Sequence, residues 1–188
     1  MSTIDLRLAE AADFAPIAAI TNHYIRTTAI HFGTTEVTEA ELRALWQEHH
    51  DLYPWLVACR DGSVIGYAKA GVFRARAAYR WSTETGIYVA PEVLARGLGK
   101  LLYARLLAML RTQGFHTAIG GIALPNEASV RLHERLGFHH CGTFARAGRK
   151  FDRWHDVGFW QRDLQPVDHV PTAIDTPAAA SAATASPS

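Results

Sequence analysis

The apolar and polar positions of this chain follow two periods, one of two residues and one near 3.6. Their succession predicts alternating strands and helices. Thr3–Leu8 alternates polar and apolar side chains, as a half-buried strand does. Up to about Ile25 the period lengthens, and Phe14, Ile17, Ala18 and Ile20 are spaced to share one helix face. Thr38-Glu39-Ala40-Glu41 matches a capping box, so a second helix is predicted from there towards His50. Trp55–Cys59 and Val64–Phe73 read as strands joined by a turn at Asp61-Gly62, with Trp81–Val89 as the third of that set. The most regular helix runs from Gly97 through Arg111. It places Leu98, Leu101, Leu102, Leu106 and Leu110 on one side and stops at Gly114. Thr117–Ile122 is an apolar strand, and Asn126–Leu136 is a short helix stopped by Gly137. Phe138–Phe144 and Trp154–Leu164 are terminal strands with a polar turn between them.

From about Val167 this patterning ends. Thr172–Ser188 is mostly Pro, Ala, Thr and Ser, without an aromatic residue. Such a segment buries too little apolar surface to offset its ordering entropy, so a disordered tail over 167–188 is predicted behind one domain over 1–166. The 188 residues suit a single core. A net charge of +1 argues against a nucleic-acid or polybasic membrane surface as the main business. No apolar run reaches membrane-spanning length, and Met1–Leu8 lacks the charged-then-apolar pattern of a secretory signal, so the cytosol is expected. Cys59 and Cys141 form neither a metal spacing nor a disulfide framework. Both sit in apolar strand-like contexts and are expected as buried free thiols; no metal site is expected.

Candidate chemistry begins where the third strand of the set ends. Gly86-Ile87-Tyr88-Val89-Ala90-Pro91 leads into Glu92-Val93-Leu94-Ala95-Arg96-Gly97-Leu98-Gly99-Lys100 and then the long helix. Two glycines one residue apart at a helix start let backbone approach a ligand without Cβ obstruction. The first-turn N–H groups there are unpaired and face the positive end of the helix dipole, which suits a phosphate or pyrophosphate. A glycine there also serves simply to relieve a tight strand-to-helix turn. The dinucleotide fingerprint fails because Leu102 stands where its third glycine belongs, and the phosphate-loop pattern around Gly99-Lys100 fails as well.

A second motif lies downstream, Leu124-Pro125-Asn126-Glu127-Ala128-Ser129-Val130-Arg131-Leu132-His133-Glu134-Arg135-Leu136-Gly137-Phe138. With the glycine loop it resembles the signature of the GCN5-related N-acetyltransferase superfamily. Asn22-His23-Tyr24-Ile25, Tyr53-Pro54-Trp55-Leu56-Val57-Ala58, Arg74-Ala75-Arg76, Tyr79, Trp81 and Trp154-His155-Asp156-Val157-Gly158-Phe159-Trp160-Gln161 narrow this to the phosphinothricin N-acetyltransferases, over about Ile4 to Leu164. The resemblance implies an α/β (α+β) fold with a mixed, mostly antiparallel sheet flanked by helices on both faces, and a homodimer. It implies acetyl-CoA as donor and a small amino acid or analogue as acceptor. Neither Cys59 nor Cys141 is placed as a nucleophile, so direct attack of the acceptor on acetyl-CoA is expected rather than an acyl-enzyme. Phosphinothricin and methionine sulfoximine are the acceptor types, with antibiotic or herbicide resistance as the corresponding role.

Carried onto this chain, the resemblance implies CoA binding by Ile87, Tyr88, Val89, Leu94, Ala95, Arg96, Gly97, Leu98, Gly99, Lys100, Asn126 and Ser129. Leu94 departs from the usual Gln or Arg three residues before the first loop glycine. Asn126, placed just after Pro125, is also a natural helix cap. Glu84 matches the family's catalytic glutamate, and His133 stands where many acetyltransferases carry a tyrosine near the thiolate. Taken alone, Glu84 reads as a surface strand residue and His133 as a hydrogen-bonded core residue. Arg74, Arg76 and Tyr79 are the implied binders of an acceptor anion, for which guanidinium geometry is suited, and Phe32, Tyr88 and His133 join them in the acceptor pocket. Arg80 has no such match. Trp154, His155, Asp156 and Trp160 are explained as well by strand packing and dimer contact as by chemistry. Two other functions stay open on the sequence. One is acetylation of a protein N-terminus or lysine, which needs an open groove. The other is a non-catalytic acyl-CoA-binding regulator, against which Glu84 and His133 speak.

Overall fold

The alternating segments pair into one sheet. In this computed structural model, which describes residues 3–93 and 97–185, the strands are β1 (Ile4–Leu8), β2 (Trp55–Arg60), β3 (Ser63–Val72), β4 (Ser82–Val89), β5 (Thr117–Ala123), β6 (His139–Lys150) and β7 (Arg153–Asp163). Their order is β1-β2-β3-β4-β5-β7-β6, and every pair is antiparallel except β4–β5. The helices are α1 (Phe14–Thr27), α2 (Glu39–His49), α3 (Leu98–Gln113), α4 (Glu127–Arg135) and α5 (Pro177–Ala185).

Strand alternation decides which helix meets which face. Tyr67 and Tyr88, register partners on β3 and β4, point at α1: Thr21 Oγ1 lies 2.7 Å from the Tyr67 hydroxyl, and the Tyr24 ring is 5.4 Å from that of Tyr88. Thr85, one position out of phase with Glu84 and Gly86, points at α3, and Gly120 of β5 faces α4. Helices therefore cover both faces of a mixed, mostly antiparallel sheet. The predicted capping box forms: Thr38 Oγ1 accepts from the Glu41 N–H, and Glu41 Oε2 accepts from the Thr38 N–H. Gly114 ends α3 in the left-handed region at φ 99°.

Four expectations need correction. Leu101 is half exposed, because the buried stripe of α3 runs through Leu98, Leu102, Leu106 and Leu110 with Tyr103 and Leu107, leaving Leu101 beyond its edge. Cys141 is exposed, since β6 is an edge strand with most of both faces open; Cys59 is buried as expected. β6 runs on to Lys150, and the reversal falls at Phe151-Asp152, both at positive φ. Its register slips between His140 and Gly142 and between Phe144 and Gly148, which hides the period-two pattern in the sequence. The segment predicted to be a disordered tail instead carries α5, packed on α3 with Pro177 and Ala180 buried. Thr176 Oγ1 accepts the Ala179 N–H as an N-cap, and Pro177 fits the first helical position. Gln113 holds Asp175 through bonds in both directions, each 2.8 Å.

Candidate active site

The parallel ladder between β4 and β5 lasts only from Ser82–Thr117 to Glu84–Ile119. β4 continues to Val89 and β5 to Ala123, but as separate edges. The sheet thus opens along the outer halves of two central strands. Ile87, Tyr88 and Val89 lie on that opened half of β4, with Gly120 and Gly121 opposite. Tyr103 and Thr85 close its inner end on the α3 side: the two hydroxyls are 2.7 Å apart, and Thr85 Oγ1 donates to the Ile119 carbonyl.

The N-terminus of α3 sits at the mouth of this opening. Gly97 caps the helix at φ 79°, where a side chain is strained although a Cβ there would meet nothing within 4 Å. A Cβ on Gly99 would make ordinary contacts with Leu132 Cδ2 at 3.6 Å and with Ile87 and Val89 at 3.9 Å, so the loop rests directly on the end of β4. The first helical bond there runs from the Leu101 N–H to the Gly97 carbonyl. The N–H groups of Leu98, Gly99 and Lys100 precede it and lack intrahelical partners, and Lys100 is exposed beside them. Leu94, Ala95 and Arg96 lie outside the described residues.

On the α1 face, at the root of the opening, stands Glu84. Its carboxylate overlies Gly121, with Oε1 3.7 Å from where a Cβ would be, and Phe159 covers the same glycine. The residue is solvent-accessible, yet the surrounding protein strips enough water from its carboxyl to push its pKa up, against the pull of Lys69 and Arg74. A hollow of about 450 Å³ opens alongside, lined by Phe73, Arg74, Ile119, Phe144, Phe159 and Trp160 among others. A second hollow of about 560 Å³, between α3 and β7, contains none of the predicted site residues. Tyr88 forms an aromatic wall with Tyr24, Tyr67 and His31, ring centroids 5.3–5.7 Å away. Burial, with Tyr24 and Glu84 adding, pushes its hydroxyl pKa up to about 12. Phe32 packs over Gly148 of β6, and Lys150 Nζ donates to the His31 carbonyl at 2.6 Å, which ties this loop to the β6–β7 hairpin.

His133 lies on the other face. It is buried, over Gly120, between the rings of Tyr103 and Phe138 at 5.1 and 5.0 Å. A row of four links runs through it: Ser129 O to His133 Nδ1 at 2.8 Å, Nε2 to Tyr103 Oη at 3.0 Å, Tyr103 Oη to Thr85 Oγ1 at 2.7 Å, and Thr85 Oγ1 to Ile119 O at 3.1 Å. Both ends are carbonyls, which only accept. A neutral histidine, a tyrosine and a threonine supply three hydrogens for these four links. An imidazolium supplies the fourth and fills the row. Burial opposes that charge and lowers the His133 pKa, while the Ser129 carbonyl raises it. Burial thus favours the neutral row, and its geometry has a place for one further proton without orphaning a polar atom.

Glu84 and His133 thus flank the sheet from opposite sides at the point where β4 and β5 part, and do not touch. Arg74 reaches Glu84 electrostatically, whereas the whole segment 74–80 is exposed. Among the described residues no hydrogen bond or ion pair joins the Arg76 or Tyr79 side chain to the Glu84 group. Arg80 stacks on Trp81 at 3.9 Å instead. Asn126 caps α4 by accepting the Ser129 N–H at 3.2 Å, and Ser129 holds the His133 ring. Among the described residues no group of three or more His, Cys, Asp and Glu could hold a metal ion.

Three participants escaped the sequence reading. Tyr103 looked like one more apolar position of α3, but a buried phenol needs a partner, and that requirement was the available signal. Thr85 carried the same signal as a polar residue on the inward phase of β4. Lys69 on β3 gave none, because strand lysines are ordinarily solvent-facing.

The chain and its fold are similar to those of known proteins. The profile of the acetyltransferase (GNAT) family matches residues 17–138. The phosphinothricin N-acetyltransferase of Streptomyces viridochromogenes is 46% identical over 162 residues, which span 86% of this chain and 88% of that protein. An L-methionine sulfoximine/L-methionine sulfone acetyltransferase of Salmonella typhimurium is 38% identical over 161 residues, 85% of this chain and 94% of its own. The crystal structure of a GNAT superfamily phosphinothricin acetyltransferase from Sinorhizobium meliloti in complex with AcCoA matches with a TM-score of 0.86 at 36% identity, covering 90% of this chain and 94% of that one.

Proposed function

This chain belongs to the GNAT acetyltransferase family, and on that premise we propose that it moves acetyl from acetyl-CoA to the amino group of a small amino acid or analogue of the phosphinothricin or methionine sulfoximine type. It is an acetyl-CoA-dependent N-acetyltransferase. The observation that carries the acetyl-transfer reading is the opening between β4 and β5, with Glu84 at its root and a glycine-lined helix N-terminus at its mouth.

In this reading the pyrophosphate meets the N–H groups that follow Gly97, within the stretch 94–100, and Lys100 adds charge. The pantetheine arm runs along Ile87–Val89, whose outer backbone edge has lost its strand neighbour. Asn126 contributes by fixing α4, and Ser129 by holding His133. Glu84, its pKa raised, takes the proton that a substrate ammonium must lose before its nitrogen attacks the thioester carbon. As the C–S bond breaks, the thiolate needs a proton. The row through His133 and Tyr103 is suited to holding one at the amine or at the sulfur. Arg74 and Arg76, with Tyr79, pair with an anionic group distal to the acceptor amine, while Phe32 and Tyr88 wall the pocket. Cys59 is buried, and the Cys141 thiol, on the wall of the hollow, donates to the His139 carbonyl rather than to a base, which supports direct attack rather than an acyl-enzyme.

A homodimer, a cytoplasmic location and a resistance role belong to the same proposal. Supporting the dimer, the β6 edge and its hairpin leave Phe144, Phe151 and Trp154 more than half exposed. No helix among the described residues is long and apolar enough to cross a membrane.

The test is thiol release from acetyl-CoA with a panel of free amino acids, phosphinothricin, methionine sulfoximine and a peptide. Release with one or more free amino acids or analogues supports the reading. Release with the peptide alone refutes it, as does no release at all.

A further inference from the structure

Lys69 lies on the same face of the sheet as Glu84, half-buried and, among the described residues, without a hydrogen-bond or ion-pair partner. On β3 it pairs in register with Gly86, which has no side chain to cover it. Gly71 pairs with Glu84, so the next side chain across the strands on that face is the Glu84 carboxylate, one diagonal step away. Lys69 Nζ lies 4.7 Å over the Trp55 ring and makes no hydrogen bond or ion pair among the described residues. Other sheltered cations are committed: Arg7 to Asp13, Lys150 to the His31 carbonyl, and Arg162 to the Leu136 carbonyl. Glu84 likewise has no side-chain partner among the described residues.

An amine and a carboxyl therefore share one floor, too far apart to pair; burial lowers the Lys69 pKa and raises that of Glu84, while each favours the other's charged form. The groups around them do not fill the gap. Lys150 is taken, the His31 pKa is lowered by burial and by Lys69 and Lys150, and Arg74 belongs to the exposed segment. A molecule carrying an amine and a carboxylate on one carbon spans such a pair. Its carboxylate meets Lys69, and its amine turns to Glu84 and the β4–β5 opening.

We propose that Lys69 binds the α-carboxylate of the acceptor and makes the enzyme selective for α-amino acids over amines that lack one. This rests on the amino-acid acceptor reading above and adds a second anion site to that of Arg74 and Arg76. Acceptors bearing a further anion on the side chain engage both.

The experiment compares acetylation of an α-amino acid with that of its α-amide, in the wild type and in Lys69→Met, which keeps an apolar stem over Trp55. Taking the ratio within each protein cancels the different basicity of the two amines. The wild type should favour the acid. Lys69→Met should raise the acid's KM about 10–100-fold, as expected for loss of a charged hydrogen bond, and leave the amide's nearly unchanged. Because Lys69 makes no hydrogen bond or ion pair among the described residues and Met keeps the packing on Trp55, the variant's melting temperature should change little; Lys69→Gln repeats the comparison with a polar tip. A variant that keeps the wild-type preference for the acid overturns the role of Lys69. A wild type that acetylates no free amino acid defeats the acceptor reading itself, a different and separately visible failure.

Discussion

Gly120→Ala tests whether the buried histidine row is a fixed device. A Cβ at Gly120 would come 2.5 Å from His133 Nε2 and 2.8 Å from Cδ2, about 1 Å inside contact distance. The ring cannot move aside freely. It is held by the Ser129 carbonyl at 2.8 Å and by Tyr103 at 3.0 Å, and it is flanked by Tyr103 and Phe138. Overpacking costs about 1–3 kcal/mol, and an orphaned buried hydrogen-bond partner another ~1–3 kcal/mol. For a chain of this size the sum lowers the melting temperature by roughly 5–15 °C. Gly71→Ala, whose Cβ would meet nothing within 4 Å, is the control and should melt at or above the wild-type temperature. Calorimetry or circular dichroism reads the shift. Steady-state kinetics on the folded fraction should show kcat down at least tenfold and acetyl-CoA affinity little changed. A Gly120→Ala protein melting within a degree of wild type with full kcat would refute the argument, because it would mean that His133 moves without cost and without consequence.

Glu84→Gln should lose about 10²–10⁴ in kcat with CoA binding intact. Its pH–rate profile should lose the acidic limb, which in the wild type lies above the usual carboxylate range because activity falls as pH drops through a raised pKa. Arg76→Ala should raise the acceptor's KM far more than that of acetyl-CoA; equal effects on both would remove Arg76 from the acceptor site. Gly99→Val should stay folded, since the Cβ itself makes only ordinary contacts, yet weaken CoA binding by titration calorimetry. Asp13 is held below its usual pKa because its bonds to Arg7 and to the Glu10 N–H together outweigh the upward push of burial. Its stabilisation is therefore present above the unfolded carboxylate pKa and is lost as pH falls through the folded one. Asp13→Asn should lower the melting temperature at pH 7 and bring it close to wild type in acid.

What the sequence made legible was local. The capping box at Thr38, the stop at Gly114, the turn at Asp61-Gly62 and the glycine pair at 97 and 99 each reflect chemistry between near neighbours. The less visible features depend on distant partners. Leu101 fits the helical period, and only the shape of the sheet beneath α3 decides that it stays outside. β6 carries arginines and glycines where alternation fails because neither of its faces is fully covered. α5 was lost to an average over composition, although Thr176-Pro177 is a helix start at single-residue resolution. In the candidate site, motif order points to Glu84 and the glycine loop. It does not give their relation to His133, because that depends on which side of the sheet each side chain takes. Tyr103 becomes meaningful only beside Thr85 and His133, which come from other elements.

The short β4–β5 ladder has a consequence for how the protein exchanges with solvent. In a central strand both edges are normally tied, and amide hydrogens there exchange only on deep unfolding. From Gly86 to Val89 the inner edge of β4 is tied to β3, while amides turned towards β5 have no strand to bond. Hydrogen–deuterium exchange should therefore alternate along this stretch, fast and slow by turns, inside an otherwise protected sheet. Anything that lends its own carbonyls to that edge should slow the fast set and leave the slow set unchanged. Deuterium uptake along four residues would then report occupancy of the opening without any turnover.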